Sequence, residues 1–168
     1  MVPFIVLVAA FVAALLVTAR GTARRPDVTV ALRIAVAAMF LVSGSSHFVG
    51  MREELIDMVP DLFPNPDLVI DLTGVLELAA ALAMVSRRLA PWAATGLTLL
   101  LIAMFPANVE LALSGADLPW NQTLVPRSVM QVVFVVATSV LAVRGFASLR
   151  RSRGATSERT TATESTTV

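Results

Sequence analysis

The sequence predicts an all-α, polytopic transmembrane helix bundle, and three observations carry that prediction. Apolar residues make up 57% of the chain, charged residues only 15%, and mean hydropathy is +0.80; soluble domains are less apolar and more charged. Five segments are apolar over a length that approaches or reaches the roughly 20 residues needed to cross about 30 Å of hydrocarbon. The arginines, which are all of the basic residues apart from His47, gather in alternate connections between those segments.

The first segment spans roughly 3–19, PFIVLVAAFVAALLVTA. It lacks a basic flank on its N-terminal side, so it reads as a retained transmembrane helix (residues 1–20) rather than a cleaved signal peptide. The second spans 28–49, the third 68–86, the fourth 90–113 and the fifth 125–146. Some of these runs are β-branched, but their length exceeds that of ordinary strands. In lipid the backbone must also satisfy its own hydrogen bonds, which a helix does locally. Between the second and third segments, MREELIDMVPDLFPNPD (51–67) carries apolar residues interrupted by Pro60, Pro64 and Pro66. It predicts a short amphipathic element lying over one end of the bundle as a lid. Beyond the fifth segment, residues 150–168 are rich in Ser and Thr and hold too little apolar surface for a core, so a disordered tail is expected.

Charge orients the bundle. Arg20, Arg24 and Arg25 lie in the first connection, Arg87 and Arg88 in the third, and Arg144, Arg150, Arg151, Arg153 and Arg159 near the C-terminus. Glu53, Glu54, Asp57, Asp61 and Asp67 face a single Arg52 in the second connection, and the fourth has Asp117 alone. The expectation is a multi-pass protein of the cell membrane with its N-terminus outside and its C-terminus cytoplasmic. The absence of Lys and the abundance of Ala and Val fit a GC-rich bacterium, and so a bacterial inner membrane.

Polar residues inside spans are the candidates for function, because hydrocarbon makes them costly. Glu77, in LTGVLELAAA, lies ~14 Å into its helix at 1.5 Å per residue, where an acid costs about 2.5–3.5 kcal/mol. It reads as a proton or ligand site, or as a structural hydrogen bond between helices. His47, near the end of the second helix with Ser43 one turn before it, has a side chain suited to proton transfer; a structural hydrogen bond is the plainer reading. Pro106, in the run FPAN, removes an N–H and predicts a helix kink, with Asn108 near enough to satisfy freed backbone. Arg127 and Gln131 share one face at the start of the last helix. Arg127 either snorkels outward or turns inward, towards Glu77 or an anionic headgroup. His47, Glu77, Asn108, Arg127 and Gln131 come from four helices at compatible depth, so they are expected to line one polar, ligand-binding cavity. With no Cys and one His, the chain offers no disulfide, no thiolate centre and no multi-histidine metal site, and it has no nucleotide or covalent-cofactor motif.

The ordered motifs GSSHF, MVPDLFPNP, TGVLEL, RRLA and MFPANVELAL, followed by an Arg and a Gln entering the last helix, resemble the DoxX-like membrane family over roughly residues 30–146. The resemblance implies a four-helix core within 28–146, to which the first helix is an addition. Some DoxX-type proteins are linked to quinone reduction as small subunits of larger oxidoreductases, and distant relatives act in membrane-protein assembly. The implied function is a redox-associated, quinone-linked accessory subunit with a membrane or redox protein partner, which binds a quinone and does not catalyse alone. The alternatives are a non-catalytic assembly or interaction factor, motivated by small residues such as Gly74 and Ala79–Ala81, and a small-solute transporter. The lipid bilayer is the expected surrounding, and no feature points to nucleic acid.

Overall fold

In the computed structural model of the protein, the described residues are 2–20, 27–60, 62–113, 120 and 123–165, with backbone only from 153 onward. Arg24, Arg25, Asp61 and Asp117 lie outside them, as do the side chains of Arg153 and Arg159. Among the described residues all the regular structure is helical: α1 (Val2–Arg20), α2 (Val28–Ser46), α3 (Arg52–Ile56), α4 (Pro66–Ala83), α5 (Ala90–Leu113) and α6 (Leu124–Ser165).

The helix ends follow local chemistry. Asp27 caps α2, its carboxylate accepting from the N–H groups of Thr29 and Val30 at 3.0 Å each. Helix α2 stops at Ser46, a little short of the expected boundary, and His47 lies in the turn that closes it. Gly50, at φ +83°, then reverses the chain in a conformation that a side chain would strain. Asn65 caps α4 by accepting from the Leu68 N–H at 3.2 Å, and Pro66 occupies the first turn, where its missing N–H has no consequence. Helix α5 runs unbroken through Pro106. Helix α6 continues to Ser165, past the start of the expected disordered tail. Its last part is rich in Thr and Ser but holds no Pro, and a helix once nucleated propagates more easily than it starts.

Four of these helices are long and apolar enough to cross a membrane: α1, α2, α5 and the Leu124–Ser152 part of α6. At 24 residues, α5 is about 36 Å long. Helix α4 is not among the four; its 18 residues include Asp67, Asp71 and Glu77. Apolar side chains are turned outward along α1 (Ile5, Val8, Val12, Leu16) and α6 (Val129, Val132, Val136, Val143), the reverse of a water-soluble protein.

Helix α1 packs on α2, α2 on α4, α4 on α5 and α5 on α6, and α2 also meets α6. The core uses helical spacing: Ala31, Ala35, Val36, Met39 and Phe40 on α2, Ala90, Ala94, Leu97 and Leu101 on α5, and Ala137 and Leu141 on α6. Many of these residues are alanines, which let helix axes approach closely where lipid supplies no hydrophobic drive. Thr98 of α5 donates to the Thr138 hydroxyl of α6 at 2.8 Å, and Thr138 donates to the Phe134 carbonyl, so the core hydroxyls are satisfied.

Candidate functional site

One end of the bundle holds a cavity of about 340 Å³. All five residues singled out from the sequence line it: His47, Glu77, Asn108, Arg127 and Gln131. Ser43 and Ser46 of α2 add hydroxyls, and Val2 and Pro3 bring in the start of α1. The remaining wall is soft and apolar, with Met51, Leu55, Met58, Met104, Met130 and Phe134. Four of these are methionines, whose flexible thioethers adapt to varied ligand shapes.

The acid and the imidazole meet because two glycines let α2 and α4 close. A Cβ on Gly74 would lie 2.6 Å from the His47 Cβ and 2.9 Å from Phe48 Cε2. A Cβ on Gly44 would lie 2.9 Å from Leu78 Cγ and 3.1 Å from Glu77 Cβ. Both contacts are closer than real Cβ atoms ordinarily make, so only glycine permits this spacing. Gly74 and Ala81 are therefore used inside the bundle, not on an outward stripe.

His47 is almost fully buried, and its tautomer follows from its partners. Nδ1 lies 2.9 Å from the Ile70 carbonyl oxygen. A carbonyl only accepts, so Nδ1 carries a hydrogen and donates. The Thr73 hydroxyl, 3.2 Å from the same nitrogen, donates to the Val69 carbonyl at 2.9 Å. Nε2 is left facing Glu77 Oε1 at 3.8 Å, too far for a direct hydrogen bond. The Ser43 hydroxyl lines the same cavity beside the Glu77 carboxyl group. The other oxygen, Oε2, is buried without a hydrogen-bond partner. Two acceptors, a carboxylate and an imidazole nitrogen, repel unless a proton lies on one of them. A proton on either group would relieve that repulsion.

On the opposite wall Arg127 turns inward and donates to Asn108 Oδ1 at 2.8 Å. Asn108 in turn lies 3.4 Å from the Met104 carbonyl, and Gln131 donates to the Leu101 carbonyl. The carbonyl freed by Pro106 belongs to Ile102, one turn earlier. Asn108 thus reaches a neighbouring carbonyl instead of the one the sequence pointed to.

The lid is α3. Arg52 donates to Asp71, to Asp67 at 3.2 Å and to the His47 carbonyl at 3.4 Å, strapping α3 to the first two turns of α4. These carboxylates, above all through the hydrogen bond to Asp71, hold the guanidinium pKa above its ordinary value. Beneath the strap, Leu55, Met58 and Phe63 close a smaller apolar space of about 140 Å³ against Ile70, Thr73 and Ala107.

Sequence reasoning missed the strap, although Asp67 and Asp71 stand four apart on one helix face, a readable signal. It also passed over Arg33, a charge within the apolar run ALRIAV. Among the described residues no group of three or more His, Cys, Asp or Glu side chains is placed to hold a metal ion.

The sequence profile of a family described as a domain of unknown function, DUF8561, matches residues 36–142. The chain belongs to that family. No curated protein and no solved structure matches it. The DUF8561 region starts within α2 and ends within α6, so it contains all five cavity residues and the α3 lid. Helix α1 and Arg33 lie outside it.

Proposed function

We propose that this protein is a membrane-embedded accessory subunit whose cavity receives the polar ring of a lipid-soluble amphipath, a quinone being the best fit. The observation that carries the reading is the buried, partnerless Oε2 of Glu77 on the wall of that cavity. Leaving such an atom unsatisfied costs about 1–3 kcal/mol, and an apolar residue of similar volume would avoid the loss. Keeping a carboxyl group there makes sense if a ligand or a proton uses it.

The donor set suits a quinone ring, which has apolar faces and carbonyl acceptors at opposite edges. Arg127 and Gln131 offer N–H donors on one wall, His47 and Glu77 an acid–base pair on the other, and the methionines pack against ring faces. A bound quinone would supply two-electron, two-proton redox chemistry. This chain's part is to hold the ring and to manage the proton. Donation from Nδ1 to Ile70 fixes the imidazole with Nε2 towards Glu77, so a proton passes between Nε2 and Oε1 after a small closure of the 3.8 Å gap. With no Cys and one His, the chain lacks ligands for an iron–sulfur cluster or a bis-histidine haem, so electrons enter through a redox partner in the membrane.

Resemblance to the DoxX-like family over 30–146, some of whose members are linked to quinone reduction, supports this reading. In it α4 is a fifth crossing: Arg52 pairs with Asp67 and Asp71 at one end, and Glu77 faces the cavity. The arginine distribution supports a reading in which the cavity and the N-terminus lie outside a bacterial cytoplasmic membrane and the C-terminus inside.

The test is a titration of a short-chain ubiquinone or menaquinone analogue into purified wild type and Glu77→Gln. Saturable binding is expected in wild type, weakened about tenfold or more in the variant, which is 1.4 kcal/mol. No saturable binding to either protein sinks the proposal.

A further inference from the structure

At the end of the bundle opposite the His47–Glu77 cavity lies a second, larger cleft of about 660 Å³. Its charged lining residues are Arg33 of α2, Arg87 of the α4–α5 turn, Arg144 and Arg151 of α6, and Asp27. The one carboxylate is already engaged as the α2 cap. None of the four arginines forms an ion pair with a described residue; Arg144 reaches only the Thr29 hydroxyl, at 3.4 Å. Helices α2 and α5 begin at this end and α1 and α4 finish there, so their terminal partial charges offset one another and the arginines carry the positive field.

The cleft also sits at a definable depth. Pro91 lines it, and the adjacent Trp92 is exposed and meets Phe146 edge-on with ring centroids 4.9 Å apart. Exposed tryptophans of this kind mark the headgroup level of a bilayer. Arg33 lies in the second turn of α2, inside the apolar run, where a guanidinium without a counter-anion is costly. Leu141 and Leu149 on the same walls make the cleft amphipathic.

We propose that this cleft binds the phosphate group of an anionic phospholipid headgroup. Guanidinium groups present planar donor pairs that match phosphate oxygens, which suits Arg33, Arg87 and Arg144 converging from three elements. Free phosphate shares that chemistry, but the depth marked by Trp92 and the apolar walls favour a lipid.

Native mass spectrometry and lipid titration on the full-length protein test the assignment. The lipids are phosphatidylglycerol and cardiolipin, each against phosphatidylcholine, and the variants are Arg33→Gln, Arg144→Gln and the control Arg150→Gln, a neighbour outside the cleft. Wild type is expected to retain an anionic phospholipid through detergent exchange. Each cleft variant should weaken retention about five-fold, the equivalent of the roughly 1 kcal/mol per basic residue seen at membrane surfaces. The control should leave it unchanged, and millimolar inorganic phosphate should not compete. If Arg33→Gln does not fold, exposed Arg144 carries the test alone. Equal weakening by Arg150→Gln, equal retention of phosphatidylcholine, or displacement by inorganic phosphate would each overturn the proposal.

Discussion

The two ends of the bundle handle polar groups in opposite ways. At the cavity end an imidazole, a carboxyl group, a guanidinium and two amides are drawn together, and the imidazole, the guanidinium and Gln131 each hydrogen-bond a residue of another helix. At the arginine end four guanidinium groups line a larger cleft and pair with no described carboxylate. The difference teaches where precision is needed. Hydrogen-bonding a compact ring needs side chains fixed to within fractions of an ångström, which requires close helix packing. Attracting a headgroup phosphate needs charge at a suitable depth, and flexible arginines provide it without a tight scaffold.

The sharpest way to break this contrast is to force α2 and α4 apart. Gly74→Ala places a methyl group 2.6 Å from the His47 Cβ. Replacing Gly by Ala inside a helix ordinarily stabilises by up to about 1 kcal/mol, while overpacking costs about 1–3 kcal/mol. The contact is with a Cβ in the turn that closes α2 and not a flexible tip, so the clash wins. Thermal unfolding in detergent should show a clear loss of stability, together with weaker quinone-analogue binding. A stabilised Gly74→Ala protein would mean that the two helices have room to part.

Glu77→Met comes next, and its expected sign is the opposite. The substitution removes Oε2, whose unsatisfied burial costs about 1–3 kcal/mol, and puts an unbranched apolar side chain in its place. Stability is expected to rise by about 1 kcal/mol, as when buried ionic groups give way to packed apolar ones, while analogue binding falls. Such a trade separates a group kept for function from one kept for structure. Reduced stability would assign the carboxyl group to holding Ser43 and His47 in place.

How much of this could be read in advance differs between the ends for the same physical reason. Polar residues are conspicuous inside apolar runs, so His47, Glu77, Asn108, Arg127 and Gln131 stand out, and helical rise, on the topology the arginines give, puts them in one half of the bundle. Helix existence was legible from the length of the apolar runs, and boundaries to within a few residues except at the end of α6. Side-chain partners were not. Whether Gln131 reaches Leu101 or Asn108 reaches Met104 depends on the rotation of α6 against α5, which no local pattern encodes. The Arg52 strap escaped because Asp71, inside α4, was passed over while Asp67 was counted with the loop. Arg33 is hard to read because one charge near the start of a span is compatible with simple snorkelling to the interface. The helical course of residues 153–165 follows from propagation of α6, a cooperative effect that composition does not reveal.

The smallest expected effect sharpens the comparison from the arginine end. Arg144 is exposed, and its one long contact, to Thr29 at 3.4 Å, has little to lose. Arg144→Gln should therefore change unfolding stability in a zwitterionic detergent by no more than about 0.5 kcal/mol, as for most surface substitutions. The difference from wild type should appear only when phosphatidylglycerol or cardiolipin is added, because a ligand bound to the folded state alone stabilises it in proportion to its occupancy. At the cavity end, stability changes with the residues themselves; at the arginine end, it should change only with what they bind. A large loss from Arg144→Gln in the absence of anionic lipid would erase that distinction and make the arginine end a packed structural element like its counterpart.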